Sequence, residues 1–168
     1  MAYFKYFQRL GYDVRGVLKD VQYDSITNIL RRVRMRLSLL DNTVFFAQHS
    51  IVDGETPEQL AYTFYGDPEL HWIILYGQQA TNPYYDWPLK YYDLSRFVSK
   101  KYENLGGPYE THHHEDADGY VVDSDASGAT AISNFLYEEQ LNDTKRQLSV
   151  IRPEYTGMIT NELKILVR

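Results

Sequence analysis

The segment that decides the fold runs from residue 53 to residue 89 and has the sequence DGETPEQLAYTFYGDPELHWIILYGQQATNPYYDWPL. Thr56 and Gln59 are spaced as a capping box, in which each side chain bonds the other's backbone N–H. Pro57 suits the first turn of a helix, and Gly66 suits the left-handed position that follows one. This part of the segment therefore predicts a helix that begins after Thr56 and ends at Gly66.

A second helix is predicted directly after the first. Asp67-Pro68-Glu69 can begin it and Gly77 can end it. Two helices of about nine residues are too short to be stable alone, so they must pack on a neighbouring element. The apolar run 44–46 offers a strand before them, and the residues after Gly77 offer an extended segment. The predicted order is strand, helix, helix, extended segment, which indicates an α+β fold.

This order resembles the LysM module, a small βααβ unit, and Asp53-Gly54-Glu55-Thr56 resembles the turn that opens many such modules. A fuller set of motifs resembles the LysM-bearing baseplate wedge protein of contractile-tailed bacteriophages. These motifs are Ile29–Arg34, Tyr65–Pro68, Trp72–Leu75 and Asn82–Leu89. The resemblance extends over residues 26 to 105.

The resemblance implies a structural subunit of a tail baseplate, located in the virion and assembled in the host cytoplasm. In that family six copies clamp or bridge wedge units around the hub through protein–protein contacts. The implied partners are the sheath-initiating lysozyme-like wedge protein, the wedge core proteins and the hub. No cofactor, nucleic acid or membrane is implied.

A peptidoglycan-binding LysM module is the alternative function. Its shallow groove would contain Asp53, Gly54, Glu55, Thr56 and Asn82. Glycan-binding proteins of this kind usually carry a signal peptide and repeat the module. We see neither feature here, and this favours protein binding.

The charge pattern adds a candidate interface. The formal net charge of −6 argues against nucleic-acid binding, which requires a basic face. Residues 32–39 alternate between polar and apolar, which predicts a strand with Arg32, Arg34 and Arg36 on one face. We expect these arginines to meet acidic groups, either in the acidic region 110–143 or on a partner.

Aromatic residues give a second candidate interface. Tyrosine is the commonest aromatic, with 16 residues against 7 Phe and 2 Trp. Such a composition suits either an interface or a shallow core. Tyr84, Tyr85 and Trp87 are the interface candidates. The segment Trp87-Pro88-Leu89 could form a rigid lid over the two helices or present Trp87 as an anchor, and we favour the lid.

The sequence contains no convincing catalytic or metal-binding pattern. His112, His113 and His114 are consecutive, and consecutive residues of a strand point to opposite faces, so only His112 and His114 could share an ion. Acidic residues after His114 form an incomplete calcium loop. Neither a nucleophile elbow nor a phosphate-binding glycine loop occurs. We therefore predict a non-enzymatic protein without a metal.

We divide the chain into three parts. These are an N-terminal arm with the arginine strand (1–42), the LysM-like module with the following helix (43–105), and a hairpin with a helical extension (106–168). Within them we predict a helix from Asp24 or Ser25 to Leu30, a strand 43–52, a loop from Thr81, a helix 91–102, a hairpin 109–125 turning at Asp118-Gly119, a loop 126–131, a helix 134–142, a strand 147–151 and a helix 153–167.

Overall fold

The computed structural model describes residues 3–13, 15–16, 22–31, 33 and 43–167, and its fold is α+β. The strands are β1 (Arg9–Asp13), β2 (Tyr23–Thr27), β3 (Phe46–Ser50), β4 (Thr111–Glu115), β5 (Val121–Val122), β6 (Thr130–Ser133) and β7 (Gln147–Ile151). The α-helices are α1 (Pro57–Tyr65), α2 (His71–Gly77), α3 (Pro83–Asp86), α4 (Tyr91–Lys101), α5 (Asn134–Asp143) and α6 (Thr156–Leu166). Short 3₁₀ helices span Phe4–Tyr6, Thr43–Phe45, Pro68–Leu70 and Pro153–Tyr155.

The chain forms two compact units. The first contains the described residues within 1–49, 56–81 and 149–168, and the second contains residues 50–55 and 82–148. Each unit is therefore assembled from segments that are distant in sequence. The three-part division by sequence order stays a prediction.

Helix α1 confirms the predicted capping. The Thr56 hydroxyl accepts a hydrogen bond from the Gln59 N–H at 3.3 Å, and the Gln59 side chain accepts one from the Thr56 N–H at 3.0 Å. Gly66 follows the helix with a φ of 72°, and its N–H donates to the carbonyl oxygen of Tyr62. Only glycine adopts this left-handed conformation without strain.

The second helix begins and ends at the predicted residues. The Asp67 carboxylate accepts a hydrogen bond from the Glu69 N–H at 2.9 Å and starts a 3₁₀ turn that leads into α2. Gly77 is the last residue of α2, but the positive φ of 54° belongs to Gln79. A Cβ atom on Gly77 would lie 3.4 Å from the carbonyl oxygen of Ser149. Gly77 therefore lies beside β7 without a left-handed conformation, and a Cβ atom there would make ordinary van der Waals contacts.

The core of the first unit lies between α2, α6 and the strands β3 and β7. Its buried residues are Phe7, Phe46, Trp72, Ile73, Ile151, Leu163 and Val167. Among the large apolar residues of α1 and α2, Leu60, Trp72, Ile73 and Ile74 are buried, whereas Phe64 and Leu75 are half-buried. Burial of such side chains contributes most of the stability of short helices.

The strand that pairs with β3 comes from the C-terminal region. The backbone N–H of Arg152 donates to Phe45 O at 2.9 Å, and the N–H of Ile51 donates to Arg146 O at 2.9 Å. Residue numbers rise on one strand as they fall on the other, so β3 and β7 are antiparallel. The predicted strand over 43–52 is shorter in the structure, because residues 43–45 form a 3₁₀ turn.

Strands β1 and β2 form an N-terminal hairpin with Leu10 opposite Ile26. The predicted N-terminal arm therefore contains a two-stranded hairpin. The predicted helix from Asp24 or Ser25 to Leu30 is wrong, because these residues pair with β1 through Thr27. Arg32, Arg34 and Arg36 lie outside the described residues, so the arginine strand stays a prediction.

The second unit contains a three-stranded sheet in the order β5-β4-β6, together with helices α3, α4 and α5. Its buried cluster consists of Leu94, Val98 and Tyr102, with Leu89 and Phe135 packed against it. The predicted turn at Asp118-Gly119 is confirmed, and Gly119 has a φ of 82°.

Helix predictions in the C-terminal half hold better than the loop prediction. The helix that follows the capping residue Ser133 is confirmed as α5, and the helix 91–102 is confirmed as α4. The loop predicted over 126–131 is wrong at Thr130 and Ala131, which belong to β6 and pair with β4. The loop predicted from Thr81 contains the short helix α3. None of the helices in the described part of the chain is long and apolar enough to cross a membrane.

Candidate protein-binding surfaces

Four exposed tyrosines mark the segment that contains α3 and the start of α4 in the second unit. We call Tyr84, Tyr85, Tyr91 and Tyr92 the tyrosine segment; Tyr84 is 87% exposed and Tyr85 is 71% exposed. Helix α3 buries none of its residues. Tyrosine rings are large apolar surfaces with a polar tip, so this segment has the composition of a protein interface.

Hydrogen bonds to the backbone hold α3, the first part of the tyrosine segment, in place. The Asn82 side chain accepts a hydrogen bond from the Tyr84 N–H at 3.1 Å, and the Asp86 carboxylate accepts one from the Asn82 N–H at 2.9 Å. The Lys145 ammonium donates to the Tyr85 carbonyl oxygen at 2.8 Å. Backbone bonds thus order the helix while the rings of Tyr84 and Tyr85 remain exposed.

Trp87 differs from its tyrosine neighbours because its indole is used inside the second unit. Its Nε1–H donates to the carbonyl oxygen of Glu55 at 2.8 Å, and the side chain is half-buried. Pro88 is buried and extends the chain towards Leu89. The single donor of the indole is therefore satisfied internally. The predicted lid would cover helices of the first unit, and it stays a prediction together with the interface role of Trp87.

Asn142 fixes the end of this extended segment. Its side-chain oxygen accepts a hydrogen bond from the Leu89 N–H at 2.7 Å, and its side-chain amide donates to the Leu89 carbonyl oxygen at 2.9 Å. Asn142 is buried on α5. One side chain thus satisfies both backbone groups of Leu89. No sequence pattern pointed to Asn142, because its partner lies 53 residues away.

Asp53, the first predicted groove residue, has its carboxylate engaged in the second unit. It accepts a hydrogen bond from the Tyr91 N–H at 3.1 Å and forms an ion pair with Arg146, whose Nη2 lies 3.3 Å away. The same guanidinium donates to Asp143 at 2.7 Å, and the Asp143 and Asp53 carboxylates raise the pKa of Arg146 despite its partial burial. Asp53 therefore helps to order the start of α4.

The other predicted groove residues also serve turns and caps. Gly54 has a φ of 80°, and the Glu55 carboxylate accepts a hydrogen bond from the Val52 N–H at 3.2 Å. Thr56 caps α1 in the first unit, and Asn82 caps α3 in the second. The structure brings Asp53, Gly54 and Glu55 into one turn. The polar atoms of these residues form hydrogen bonds within the protein, and this provides no specific argument for sugar binding.

The contact between His112 and His113 contradicts the prediction that consecutive residues of this strand point to opposite faces. The register of β4 against β6 shifts between Thr111 and His113, which makes His112 the extra residue of a β-bulge. His112 Nδ1 consequently lies 2.8 Å from His113 Nδ1, and His113 Nε2 lies 2.8 Å from the Glu115 carboxylate. His112 also stacks on Tyr137 with ring centroids 4.0 Å apart. Within the described residues, no group of three or more His, Cys, Asp or Glu is arranged to hold a metal ion.

A buried carboxylate joins α4 to α5 in the second unit. Glu138 accepts hydrogen bonds from Lys101 Nζ at 2.6 Å and from the Tyr102 hydroxyl at 2.8 Å. The hydrogen bond to Glu138 raises the pKa of Lys101. Burial and the bond to Glu138 raise the pKa of Tyr102. Both proton donors of the network are used within the unit, so we assign it a structural role.

The exposed tyrosine rings, held on a hydrogen-bonded backbone, are typical of proteins that act through protein–protein contacts. Residues 2–154 match the family model described as "Base plate wedge protein 53", and the chain therefore belongs to this family of phage baseplate wedge proteins. The chain is also similar to "Baseplate wedge protein gp53" of Enterobacteria phage T4, with 26% identity over 110 residues. The aligned part covers 66% of this chain and 56% of that relative.

Family membership confirms the baseplate wedge part of the resemblance drawn from the sequence. The protein is a structural component of a bacteriophage virion, located in the tail baseplate. The particular contacts are a matter of proposal.

Proposed function

We propose that the protein clamps or bridges neighbouring wedge units around the hub of a contractile-tail baseplate through protein–protein contacts. The observation that carries this proposal is the tyrosine segment, in which capped backbone holds exposed aromatic rings in place. Pre-ordered aromatic side chains lose little entropy on binding and are frequent among the residues that dominate interface energy. The proposed role is mechanical, and it requires neither catalysis nor a cofactor.

The proposed partners follow from the family resemblance. They are the sheath-initiating lysozyme-like wedge protein, the wedge core proteins and the hub, with six copies of this chain in each baseplate and assembly in the host cytoplasm. Arg32, Arg34 and Arg36 would contribute a second contact to acidic groups. Trp87 would contribute at the edge of the tyrosine segment.

We further propose that part of the first unit is the LysM-like element. Strand β3 precedes α1 and α2, and β7 supplies the antiparallel strand beside β3. The element would then be a βαα unit completed by a strand from the C-terminal region. In this protein it would serve protein binding, with peptidoglycan binding as the alternative.

The test is wedge assembly with variants of the tyrosine segment. We expect Tyr84→Ser combined with Tyr85→Ser to abolish or slow incorporation into baseplates while the free protein keeps its thermal stability, because both rings are exposed. Tyr62→Ser is the matched control, since Tyr62 is a 66% exposed tyrosine on α1 in the other unit. Normal assembly of the double variant would contradict the proposal.

Two further measurements test the proposed arginine contact and the alternative function of peptidoglycan binding. Replacing Arg32, Arg34 and Arg36 by Glu should weaken incorporation and make the remaining binding less sensitive to salt. A pull-down on purified peptidoglycan tests the alternative directly. Retention on peptidoglycan that is lost in Asp53→Ala and Asn82→Ala, with assembly unaffected, would favour the glycan-binding module.

A further inference from the structure

The outer edge of β1 carries unpaired backbone groups. The Asn28 N–H donates to Gln8 O at 2.8 Å, and the pairing continues with Arg9 opposite Thr27. Hydrogen-bonded and non-hydrogen-bonded pairs alternate along antiparallel strands, so Leu10 and Tyr12 direct their N–H and C=O groups towards β2. The peptide groups of the intervening residues, Arg9, Gly11 and Asp13, consequently point away from β2.

This edge is open in the described part of the chain. The hairpin is a two-stranded sheet there, and the outward peptide groups of β1 have no backbone hydrogen-bond partner among the described residues. Every residue of β1 from Arg9 to Tyr12 is exposed, and Asp13 is half-buried. An exposed edge of this kind is a template for another strand.

The side chains of β1 are complementary to a second copy of themselves. If two β1 strands pair antiparallel about Gly11, Arg9 of each copy lies opposite Asp13 of the other. Leu10 of each copy then lies opposite Tyr12 of the other. The outward groups of Arg9, Gly11 and Asp13 are the ones that such a register would use, so the backbone alternation and the charge pattern agree.

We propose that β1 pairs with β1 of a second copy of this chain, which joins two hairpins into a four-stranded antiparallel sheet about a twofold axis. A two-stranded hairpin is marginally stable, and two more strands would reinforce it. The contact is limited to five residues on each side, so the association is weak and depends on protein concentration. It is a property of the free subunit, distinct from the proposed contacts with wedge and hub proteins.

Sedimentation velocity of the purified full chain, from about 10 µM to about 1 mM, tests the proposal. We expect a reversible dimer. Arg9→Glu places two carboxylates opposite each other at both ends of the strand pair, and it should weaken dimerisation by at least about fivefold. Combining Arg9→Glu with Asp13→Arg restores complementary charges and should restore dimerisation in part, because Asp13→Arg also removes the bonds that this carboxylate accepts from the N–H groups of Arg15 and Gln22. Lys100→Glu, on the exposed face of α4, makes the same change in net charge and should leave dimerisation unchanged.

Gly11→Pro provides a second test that does not involve charge. Proline removes an N–H that faces away from β2, and the bonds between Leu10, Tyr12 and β2 are retained, so the hairpin tolerates it. This variant should also weaken the dimer. A monomer at all concentrations would overturn the proposal, as would a dimer that Arg9→Glu and Gly11→Pro leave intact. The proposal would also be overturned by two results together: the double variant Arg9→Glu with Asp13→Arg stays monomeric, and Gly11→Pro dimerises as strongly as the unchanged protein.

Discussion

The hydroxyl of Tyr65 donates a hydrogen bond to the carbonyl oxygen of Ile151 at 2.8 Å, across 86 residues of sequence. It ties the last residue of α1 to the last residue of β7 within the first unit. Tyr65→Phe leaves this carbonyl without its donor, and we expect a loss of about 1–3 kcal/mol in the free energy of unfolding. Urea denaturation measures the loss. Tyr62→Phe, on the exposed side of α1, should change stability by less than about 0.5 kcal/mol.

The same hydroxyl predicts a loss of stability at alkaline pH. Burial raises the pKa of Tyr65 in the folded protein, so the folded state favours the protonated phenol. Its contribution is fully present below the pKa of an unfolded tyrosine, about 10, and is lost as the pH rises above that value. Unfolding free energies measured from pH 8 to pH 11 should fall, and the fall should be smaller in Tyr65→Phe. An equal fall in both proteins would contradict the assignment.

Gly66 is the position where the backbone itself requires glycine. Its φ of 72° lies in the left-handed region, and no atom would obstruct a Cβ there, so backbone strain alone sets the cost of substitution. Gly66→Val should lower the unfolding free energy by about 1 kcal/mol or more. Gly157→Val is the matched control, because Gly157 also has open space around it but lies within α6. Unchanged thermal stability of Gly66→Val would show that the end of α1 is wrongly placed.

Asn142 should be essential for the order of the extended segment 87–89. Asn142→Ala removes both hydrogen bonds to Leu89, and we expect a loss of about 2–4 kcal/mol. The indole of Trp87 should also become more exposed, which shifts its fluorescence to longer wavelength. Gln140→Ala, at an exposed position of the same helix, should alter neither stability nor fluorescence. A destabilised protein with unchanged fluorescence would separate Asn142 from the order of this segment.

Hydrogen exchange should distinguish the free subunit from the assembled one. We expect β1 and the hairpin 109–125 to exchange fast in the free protein at micromolar concentration and slowly in tail particles, since their side chains lie outside the buried clusters. In the free protein β4 should exchange more slowly than β5, because β4 lies between two strands. Equal and strong protection of both segments in the free protein would mean that they need no partner.

The sequence was sufficient to predict the caps and turns that are formed by residues close together in the chain. The capping box of Thr56 and Gln59, the left-handed Gly66 and the turn at Gly119 are all short-range features, and all three are confirmed. The resemblance carried by the motifs around Tyr65–Pro68 and Trp72–Leu75 led to the baseplate wedge family, which the family match confirms. The sequence alone therefore determined the helix boundaries of α1, several turns and the class of protein.

Contacts between distant residues were decided only by the tertiary structure. The strand beside β3 is β7, about one hundred residues later, and Asn142 holds Leu89 through a pairing that no periodicity reports. The bulge at His112 places its side chain beside that of His113. The sequence of β4 could not predict this, because a bulge is a property of the pairing between β4 and β6. Strand partners and registers are set by the side chains that are buried together and by the backbone groups that form hydrogen bonds with each other. Both depend on the whole folded chain.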